Sequence, residues 1–546
     1  MTGRHGAVAG RTGPVDVVIV GAGVSGGVVG KRLAEAGMSV VCLEQGRWHD
    51  ASEFPGQHPQ WELVMRKQWS PNPNVRRLPE DYPIDSTDSD IEPLMYNAVG
   101  GSTILYAADW SRMVPADFRT ASLDGVGDDW PLSYGELERY YERTDSDMGV
   151  SGLGGNPAYP PGTDPPLPPL PIGASGLAVA RAHTRLGWHW WPGTNAILSA
   201  PYDGRRPCVQ WGACMQGCPE GAKASADLTH WTAAIASGAR VKTGVRATRV
   251  RLGSDGRARG VEWTDEDGND GCQEGRIVVL AANAIGSARL LLVSAQRGHA
   301  DGLANSSGLV GRRLMMHPFA VVTGVFDDSF ETWRGHVGCR ISSMQFYESD
   351  ESRGFLRGAK WSMAPSTGGP INAAMPARAG EASWGEDHHD RVRSRFGHVL
   401  SWGIFGEDLP DVSNRVELDP ELRDRVGLPA PKITYRVSAN TRRLLQFHVA
   451  RATESLVEAG AHTIESSQLL RESGWHIMGT ARMGVDPTES VVDPWGRAHD
   501  VDNLFVVDAS IFVTSGGVNP TSTISALALR CAEAILAQPR WGRRSS

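Results

Sequence analysis

The stretch VDVVIVGAGVSGG, residues 15–27, is the most informative part of the sequence about the fold. It begins with an apolar, largely β-branched run that is typical of a buried parallel strand. Three glycines follow at once in the pattern G-x-G-x-x-G, namely Gly21, Gly23 and Gly26. The next residues are helix-like as far as Gly37, which is a typical helix stop. The stretch therefore predicts a strand, a tight turn and a helix.

A second predicted strand, SVVCLE, ends in Glu44, about twenty residues after the glycine motif. At that spacing an acidic side chain accepts hydrogen bonds from an adenosine ribose, while the phosphates bind at the helix N-terminus. A G-x-G-x-x-G pattern alone also occurs in turns that bind no nucleotide, but two strands, a helix and Glu44 together favour a dinucleotide site. The motif is compatible with NAD and with FAD.

The size and composition of the chain limit its class. A length of 546 residues exceeds what one hydrophobic core usually supports, so at least two domains or a large interwoven pair are expected. The net charge of -8 argues against a nucleic-acid-binding protein. No segment reaches the roughly 20 apolar residues that span a bilayer. Seven cysteines, with no recognisable secretory signal, favour a reducing, cytoplasmic location over a disulfide framework.

Two later segments repeat the strand-and-loop pattern. GRIVVLAANAIGSARLLLVS, residues 275–294, predicts a buried strand, a loop and the start of a helix. NLFVVDASIF, residues 503–512, predicts a strand that ends at Asp508. Three separated units that return to one nucleotide domain indicate a cofactor held along its whole length.

With these motifs the chain resembles the glucose–methanol–choline (GMC) family of FAD-dependent alcohol oxidoreductases. The resemblance covers nearly the whole chain, and its motifs occur in the family order. They include NAVGGSTILYAADWSRMVPADF (residues 97–118), VGRRLMMHP (310–318), HIMGT (476–480) and GVNPT (517–521). The resemblance implies FAD as the cofactor and an alcohol as the substrate.

The implied fold is α/β, with a Rossmann-like FAD-binding domain interwoven with an α+β substrate domain built on an antiparallel sheet. The two domains are expected to be discontinuous in sequence. The expected ranges are 1–118, 225–309 and 471–546 for the FAD-binding domain, and 119–224 and 310–470 for the substrate domain, which includes a cysteine loop at 208–218.

The resemblance also implies which residues contact FAD. Several relatives attach FAD covalently through a histidine just after the Gly-Gly-Ser turn, but this chain has Ile104-Leu105-Tyr106 there, so non-covalent FAD is expected. The tripeptide around His230 is similar to the covalent signature of pyranose oxidases, yet it falls in another segment, and His230 is interpreted as a helix-surface or packing residue. The implied contacts are Gly21, Gly23 and Gly26 to the pyrophosphate, Glu44 to the ribose, the backbone near Ala247 to the adenine, Gly100, Gly101 and Ser102 along the flavin, and Asp508 to the pyrophosphate and ribitol region.

Oxidation of an alcohol by a flavin removes a proton from oxygen and a hydride from carbon, so the site needs a base. Histidine suits this role because its unperturbed pKa is about 6.5. The family base matches His476, and its partner matches Asn519, whose amide can orient the substrate oxygen. The alternative for His476 is a buried structural histidine, and the alternative for Asn519 is a turn residue before Pro520. His317 is interpreted as structural, with substrate contact as the alternative, and His388 and His389 as part of a solvated charged loop.

A cluster of cysteines lies in RPCVQWGACMQGCPEGAKAS, residues 206–225, which contains Cys208, Cys214 and Cys218. Three thiolates on one short loop could ligate an iron–sulfur cluster. The spacing is similar to that of bacterial FAD glucose dehydrogenases, GMC proteins whose 3Fe–4S cluster passes electrons to a cytochrome. A fourth ligand is missing, for zinc as well as for iron–sulfur, so a reduced or structural thiol loop is the alternative that we favour.

The sequence constrains the identity of the substrate less than that of the cofactor. Trp188, Trp190 and Trp191 suit stacking on sugar rings, with core packing as the alternative. The resemblance is closest to the gluconate, glucose and glycoside branch, which implies a sugar or glycoside hydroxyl as substrate and oxygen, a quinone or a redox protein as electron acceptor. Two alternatives are the catalytic subunit of a cytochrome-linked dehydrogenase and a GMC lyase that retains FAD without net oxidation.

Overall fold

The computed structural model describes residues 13–58, 81–365, 370–374 and 385–538. Its strands are β1 (Val15–Val20), β2 (Val40–Leu43), β3 (Asp85–Ser89), β4 (Trp191–Pro192), β5 (Arg240–Lys242), β6 (Val245–Leu252), β7 (Ala258–Asp265), β8 (Asp270–Leu280), β9 (Phe319–Val325), β10 (Ile341–Ser343), β11 (Ala359–Pro365), β12 (Val399–Gly406), β13 (Arg415–Arg423), β14 (Pro429–Tyr435), β15 (Thr463–Ser467) and β16 (Leu504–Val506). Its α-helices are α1 (Val24–Glu35), α2 (Thr120–Asp124), α3 (Tyr134–Met148), α4 (Gly173–Leu186), α5 (Thr232–Ala236), α6 (Asn283–Val293), α7 (Pro370–Ala374), α8 (His388–Arg395), α9 (Ala439–Glu458) and α10 (Thr521–Ala537).

The first sheet carries the glycine motif. Its strands follow the order β5-β2-β1-β8-β7-β6, and β16 also pairs with β8. The strands β5, β2, β1, β8 and β16 are parallel neighbours, whereas β6, β7 and β8 pair antiparallel. Helix α1 packs against β1 and β2 and also against α10. One face of the parallel sheet is therefore covered, as its β-branched strands require. The predicted strand, turn and helix at residues 15–35 are confirmed.

The second sheet is antiparallel and has the strand order β15-β9-β12-β11-β10-β4. Alternate residues of its strands point to opposite faces. In β11, Trp361 and Met363 pack into a hydrophobic core with α9, so Lys360 and Ser362 lie on the other face. Ser362 on that face lines a cleft that is also bordered by Gly23, just before α1. The expected antiparallel sheet is therefore present beside the Rossmann-like sheet.

A third sheet, with the order β13-β14-β3, joins distant parts of the chain. Strand β3 pairs in parallel with β14, so a segment near the N-terminus and one after residue 428 form a single sheet. The third sheet therefore contains strands that are more than 300 residues apart in the chain. Among the helices of the described ranges, none has the length and apolar character needed to cross a membrane.

Candidate active site

A cavity of about 140 Å³ lies at the carboxyl ends of β1 and β2. Gly21 lies at its wall with a φ of +100°, and a Cβ at Gly21 would lie 2.5 Å from the carbonyl oxygen of Ala281. Glycine is therefore required at this turn. Helix α1 begins after Gly23 without a side-chain cap, so the N–H groups of its first turn are available to a phosphate.

The carboxylate of Glu44 is held at the base of the same turn. One oxygen accepts a hydrogen bond from the N–H of Ala22 (2.7 Å), and the other accepts one from the N–H of Gly46 (2.8 Å). Glu44 is buried but still reaches the cavity wall. The residues implied for FAD that line this cavity are Gly21, Gly23, Glu44, Gly101, Ser102 and Ala247.

Gly26 and Gly100 do not line this cavity, but they shape two glycine-rich turns, at residues 21–26 and 100–102. A Cβ at Gly26 would lie 2.1 Å from the carbonyl oxygen of Gly21. The N–H of Gly100 donates to the carbonyl oxygen of Ala22 (2.9 Å). A Cβ at Gly101 would lie 3.0 Å from the Cα of Gly23, so the two turns are in direct contact.

A second cavity of about 710 Å³ continues from the first and shares wall residues with it, among them Gly23, Ser102 and Asn283. This volume is within the range of small-molecule sites. Asp508, His476 and Asn519 line the second cavity. The uncapped helix start, the close-packed glycine turns and the continuous cleft fit an extended dinucleotide such as FAD.

Asp508 follows β16 and is held by two serines. Its Oδ2 accepts a hydrogen bond from the Oγ of Ser287 (2.5 Å), and its Oδ1 accepts one from the N–H of Ser510 (2.9 Å). Burial raises the pKa of Asp508 above its ordinary value. The carboxylate is thus fixed at the wall of the second cavity.

His476 and His317 are in direct contact. Their Nδ1 atoms lie 2.8 Å apart, and the Nε2 of His317 lies 2.7 Å from the carbonyl oxygen of Gly516. A carbonyl only accepts, so the Nε2 of neutral His317 carries the proton and its Nδ1 accepts from the Nδ1–H of His476. The Nε2 of His476 is then left unprotonated. This nitrogen lies 3.4 Å from the Nδ2 of Asn519.

Both imidazoles are held in the neutral form. Burial lowers the pKa of His317 to about 4. Burial, followed by electrostatic interactions with His317 and Lys360, lowers the pKa of His476 well below its ordinary value. His476 is half-buried at the cavity wall, so its ring faces the cavity rather than bulk water. An unprotonated, cavity-facing Nε2 can act as a base at neutral pH.

Asn519 is held from behind by a buried ion pair. The Nζ of Lys360 donates to the Oδ1 of Asn519 (3.0 Å) and lies 2.6 Å from both carboxylate oxygens of Asp109. Lys360, Asp109 and Asn519 are all buried. The carboxamide nitrogen of Asn519 therefore faces His476.

The remaining cavity wall is mainly apolar near His476. The ring centroid of Phe319 lies 4.7 Å from that of Phe405 and 5.5 Å from that of Trp475, and Phe405 lies 5.4 Å from the ring of His476. Further along β9 the wall becomes polar. There the hydroxyl of Thr323 lies 2.6 Å from that of Ser401, the residue opposite it on β12. The sheet face thus offers an aromatic surface beside the base and hydroxyls farther away.

Comparison with known proteins identifies the family. Two GMC oxidoreductase family models match residues 181–319 and 410–528. The chain is 41% identical over 529 residues to 2-methyl-1,2-propanediol dehydrogenase from Mycolicibacterium austroafricanum, covering 95% of each chain. The chain belongs to the GMC oxidoreductase family. As a GMC oxidoreductase it is an FAD-dependent enzyme that acts on CH–OH donors.

Two further comparisons agree with this assignment. The GMC oxidoreductase is 31% identical to the large subunit of fructose dehydrogenase from Gluconobacter japonicus, covering 95% of this chain and 97% of that protein. A solved structure of formate oxidase from Aspergillus oryzae, from a study of FAD modification, shares the fold with a TM-score of 0.65 at 16% identity, covering 97% of this chain and 100% of that one. The expected fold class is confirmed.

The cysteine loop of this GMC oxidoreductase does not support a 3Fe–4S cluster. Among the described residues, no three or more His, Cys, Asp or Glu side chains are grouped so as to hold a metal ion. Burial raises the pKa of Cys208 to about 12 and raises that of Cys214 as well, which favours the thiol form. The Nζ of Lys223 donates to the carbonyl oxygens of Cys214 (2.7 Å) and Ile104 (2.6 Å), so the loop braces the segment that follows the Gly-Gly-Ser turn.

The other histidines singled out in the sequence lie away from both cavities. His230 is fully buried in a π-helical turn, Asp227–Trp231, against α1, and it is a packing residue rather than a helix-surface residue. His388 and His389 begin α8, where His389 is exposed. His317 differs, because it contacts His476 directly.

The tryptophans singled out in the sequence also lie outside the walls of both cavities. Trp188 packs edge-on against Phe346 in the core beside α9, and Trp190 is partly buried against the same core. The indole N–H of Trp191 donates to the carbonyl oxygen of Leu153 (2.8 Å). The aromatic wall beside His476 is instead formed by Trp475 with two phenylalanines.

The sequence alone did not predict that Lys360, Asp109 and Ser362 lie at the site. Lys360 and Ser362 alternate with Trp361 and Met363 in AKWSMAP. Such alternation predicts a strand with one polar face, and a lysine on a face that is covered by another layer needs a partner. That partner, Asp109, is 251 residues away along the chain, so the pairing itself had no local signature.

Proposed function

We propose that this enzyme oxidises one hydroxyl group of a small polyol, with His476 as the base and Asn519 as the residue that orients the substrate oxygen. The observation that carries the proposal is the position of the Nε2 of His476 at the wall of the large cavity, 3.4 Å from the amide nitrogen of Asn519, while its Nδ1 contacts His317. FAD, bound without a covalent link, supplies the acceptor for the hydride when it is present.

The proposed proton transfer follows from the hydrogen bonds of His476. The substrate hydroxyl donates to Nε2, and its proton moves to that nitrogen as the C–H bond gives up a hydride. The positive charge that develops on His476 is shared with His317 through their Nδ1 contact. Meanwhile Asn519 donates an N–H to the substrate oxygen and holds it beside Nε2.

An apolar wall beside the base supports this chemistry. Phe405 and Trp475 flank His476, and their apolar rings strengthen electrostatic interactions inside the site. The absence of histidine in Ile104-Leu105-Tyr106 supports non-covalent FAD, since Leu105 and Tyr106 form that part of the wall.

A 1,2-diol is the first candidate substrate. The relative that is 41% identical acts, by its name, on 2-methyl-1,2-propanediol. A compact, branched diol has an apolar body that suits the aromatic wall and hydroxyls that suit Asn519 and His476.

A sugar or glycoside is the second candidate. The relative from Gluconobacter japonicus acts, by its name, on fructose. In this chain the wall beyond Phe319 carries the hydroxyls of Thr323 and Ser401, which could bind the distal hydroxyls of a longer substrate.

Anaerobic mixing of the purified flavoprotein with a panel of alcohols tests the function. The panel contains 1,2-propanediol, 2-methyl-1,2-propanediol, 1-propanol, fructose, glucose and a methyl glycoside, and the flavin absorbance is followed. Bleaching by a diol or sugar supports oxidation, and faster bleaching by 1,2-propanediol than by 1-propanol supports the diol. A flavin that no alcohol bleaches contradicts the proposal and favours the non-oxidative lyase alternative.

A further inference from the structure

The ion pair behind Asn519 is not used by the proton transfer described above. The Nζ of Lys360 makes four contacts, to both carboxylate oxygens of Asp109 (2.6 Å each), to the Oγ of Ser111 (2.6 Å) and to the Oδ1 of Asn519 (3.0 Å). Lys360 is 2% exposed and Asp109 is 6% exposed. Burying two charges carries a desolvation penalty that often exceeds their attraction, so the pair is weak evidence for stability alone.

Asp109 has no hydrogen-bonding position left for a substrate. Besides Lys360, its Oδ1 accepts from the Oγ of Ser111 (3.0 Å) and its Oδ2 accepts from the Oγ of Ser362 (2.7 Å). A carboxylate offers about four lone-pair positions, and these contacts fill them. Although Asp109 lines the cavity, its role is to neutralise and hold Lys360 rather than to bind a hydroxyl.

Lys360 determines which end of the Asn519 amide faces the substrate. An ammonium only donates, so the atom of Asn519 that faces Lys360 must be the oxygen. The amide nitrogen then points toward His476. Without Lys360, the two amide orientations, which have nearly the same shape, would compete, and one of them would present an acceptor to the substrate oxygen.

The main chain of Lys360 holds the same loop. Its N–H donates to the carbonyl oxygen of Gly517 (3.2 Å), two residues before Asn519. Strand β11 therefore fixes both the backbone of this loop and the side-chain amide at its end. A fully satisfied polar network of this kind is rigid.

We propose that Lys360 is a positioning residue that fixes the Asn519 amide with its nitrogen toward the substrate oxygen. The inference rests on the proposed function and names the device that orients the substrate. An N–H at this place stabilises the negative charge that develops on the substrate oxygen as its proton leaves. Lys360 strengthens that donor by withdrawing electron density from the amide oxygen.

Lys360 also acts on the base. The charged and titratable groups around His476 in the described structure are His317, from the segment before β9, Lys360, from β11, and Asp109, which lies behind Lys360. Of these, His317 and the ammonium of Lys360 both disfavour protonation of His476. Removing it should make His476 easier to protonate.

A double-mutant cycle tests the positioning role. The Lys360→Met/Asp109→Asn variant removes both charges, so no carboxylate is left buried without a partner. With the alcohol of the panel that bleaches the wild-type flavin fastest, we expect reduction about 10-fold slower in this variant. Adding Asn519→Ala to this variant should slow flavin reduction by less than a further twofold, because Lys360 acts through the Asn519 amide. Fully additive losses, or an unchanged rate in the charge-free variant, would overturn the inference.

Lys31→Met is the matched control for the loss of a paired lysine. Lys31 lies 2.7 Å from Asp147 and lines neither cavity. Its removal should leave the flavin-reduction rate unchanged, and its effect should show no coupling to Asn519→Ala. Equal coupling at Lys31 and Lys360 would show a general loss of stability and contradict the positioning role.

Asn519→Asp covers the case in which the charge-free variant does not fold. Aspartate has the shape of asparagine and can still pair with Lys360, but it cannot donate to the substrate. We expect a loss of rate at least as large as in Asn519→Ala. A wild-type rate in Asn519→Asp would refute the requirement for an N–H donor. An unreactive wild-type flavin, by contrast, would contradict the proposed function itself.

A second readout does not depend on turnover. Diethyl pyrocarbonate acylates only neutral imidazole, so the pH midpoint of its reaction with the His476 peptide, followed by mass spectrometry, reports the protonation of His476. In Lys360→Met, which removes only the positive charge, the midpoint should rise. An unchanged midpoint would show that Lys360 does not act on His476.

Discussion

The Nδ1 of His317 lies 2.8 Å from the Nδ1 of His476, while the Nε2 of His317 lies 2.7 Å from the carbonyl oxygen of Gly516. This pair of contacts selects the tautomer of the proposed base. His317 therefore has a role that is intermediate between the two sequence interpretations, since it contacts the proposed base and does not line the large cavity.

The first prediction concerns the tautomer. In His317→Phe the acceptor for the Nδ1–H of His476 is lost, and the base divides between two tautomers. We expect flavin reduction to slow by on the order of 10-fold to 100-fold while FAD remains bound. His448→Phe is the control, because His448 is also fully buried and accepts an indole N–H at its Nδ1 (2.9 Å) but lines neither cavity. Equal losses in both variants would mean that His317 is only a packing residue.

The second prediction concerns the pH dependence of flavin reduction. The rate should rise with pH as His476 loses its proton. Burial and the nearby charges lower the pKa of His476 well below its ordinary value, so the rise should be complete below pH about 6.5. Stopped-flow rates should be level between about pH 7 and 8. A midpoint at or above about pH 7 would contradict the proposed environment of the base.

The third prediction concerns acid stability. The pKa of His317 is lowered to about 4, and burial also lowers the pKa of His336 to about 4 and that of His448 to about 3. Between these values and about 6.5 the unfolded chain binds more protons than the folded one. The contribution of these histidines to the free energy of unfolding should therefore fall as the pH is lowered from about 6.5 toward 4, while Glu407 and Asp408, whose pKa values burial raises, contribute in the opposite direction. In denaturant titrations His448→Phe should therefore lose less stability than the wild type across this window, and the same pH dependence in both proteins would contradict neutral burial of His448.

The fourth prediction concerns the attachment of FAD. The loop after the Gly-Gly-Ser turn presents Leu105 and Tyr106 to the cavity, and neither forms the histidyl link known from relatives. Acid precipitation should release the yellow colour into the supernatant. A yellow pellet would refute non-covalent binding and direct attention to other side chains at the wall.

The nucleotide half of the fold is predictable from sequence because its determinants are local. The β-branched strand, the glycines and Glu44 lie within thirty residues, and the structure places strand β1 at Val15–Val20 as expected. Close approaches such as Gly101 to Gly23 explain why those glycines form a recognisable motif. The positions of His476 and Asn519 at one cavity were also predictable, through the resemblance to the family.

The determinants of the catalytic end are distant in sequence. His317 and His476 are separated by 159 residues, and Lys360 and Asn519 also by 159. No periodicity or spacing reports such contacts, because they depend on how the second sheet packs over the first. The tryptophans mislead for the same reason, since Trp475 rather than Trp188 reaches the cavity.

The most direct test of the central claim is the rate of anaerobic flavin reduction in His476→Ala, measured by stopped flow with the best alcohol of the panel. His476 lies at a cavity wall, so its truncation should leave fold and FAD content intact, and His389→Ala at the exposed start of α8 is the control. If His476 is the base, the rate should be lower by on the order of 10²–10⁴-fold, and the pH dependence should be lost. A wild-type rate in His476→Ala, with FAD bound, would contradict the assignment of His476 as the base.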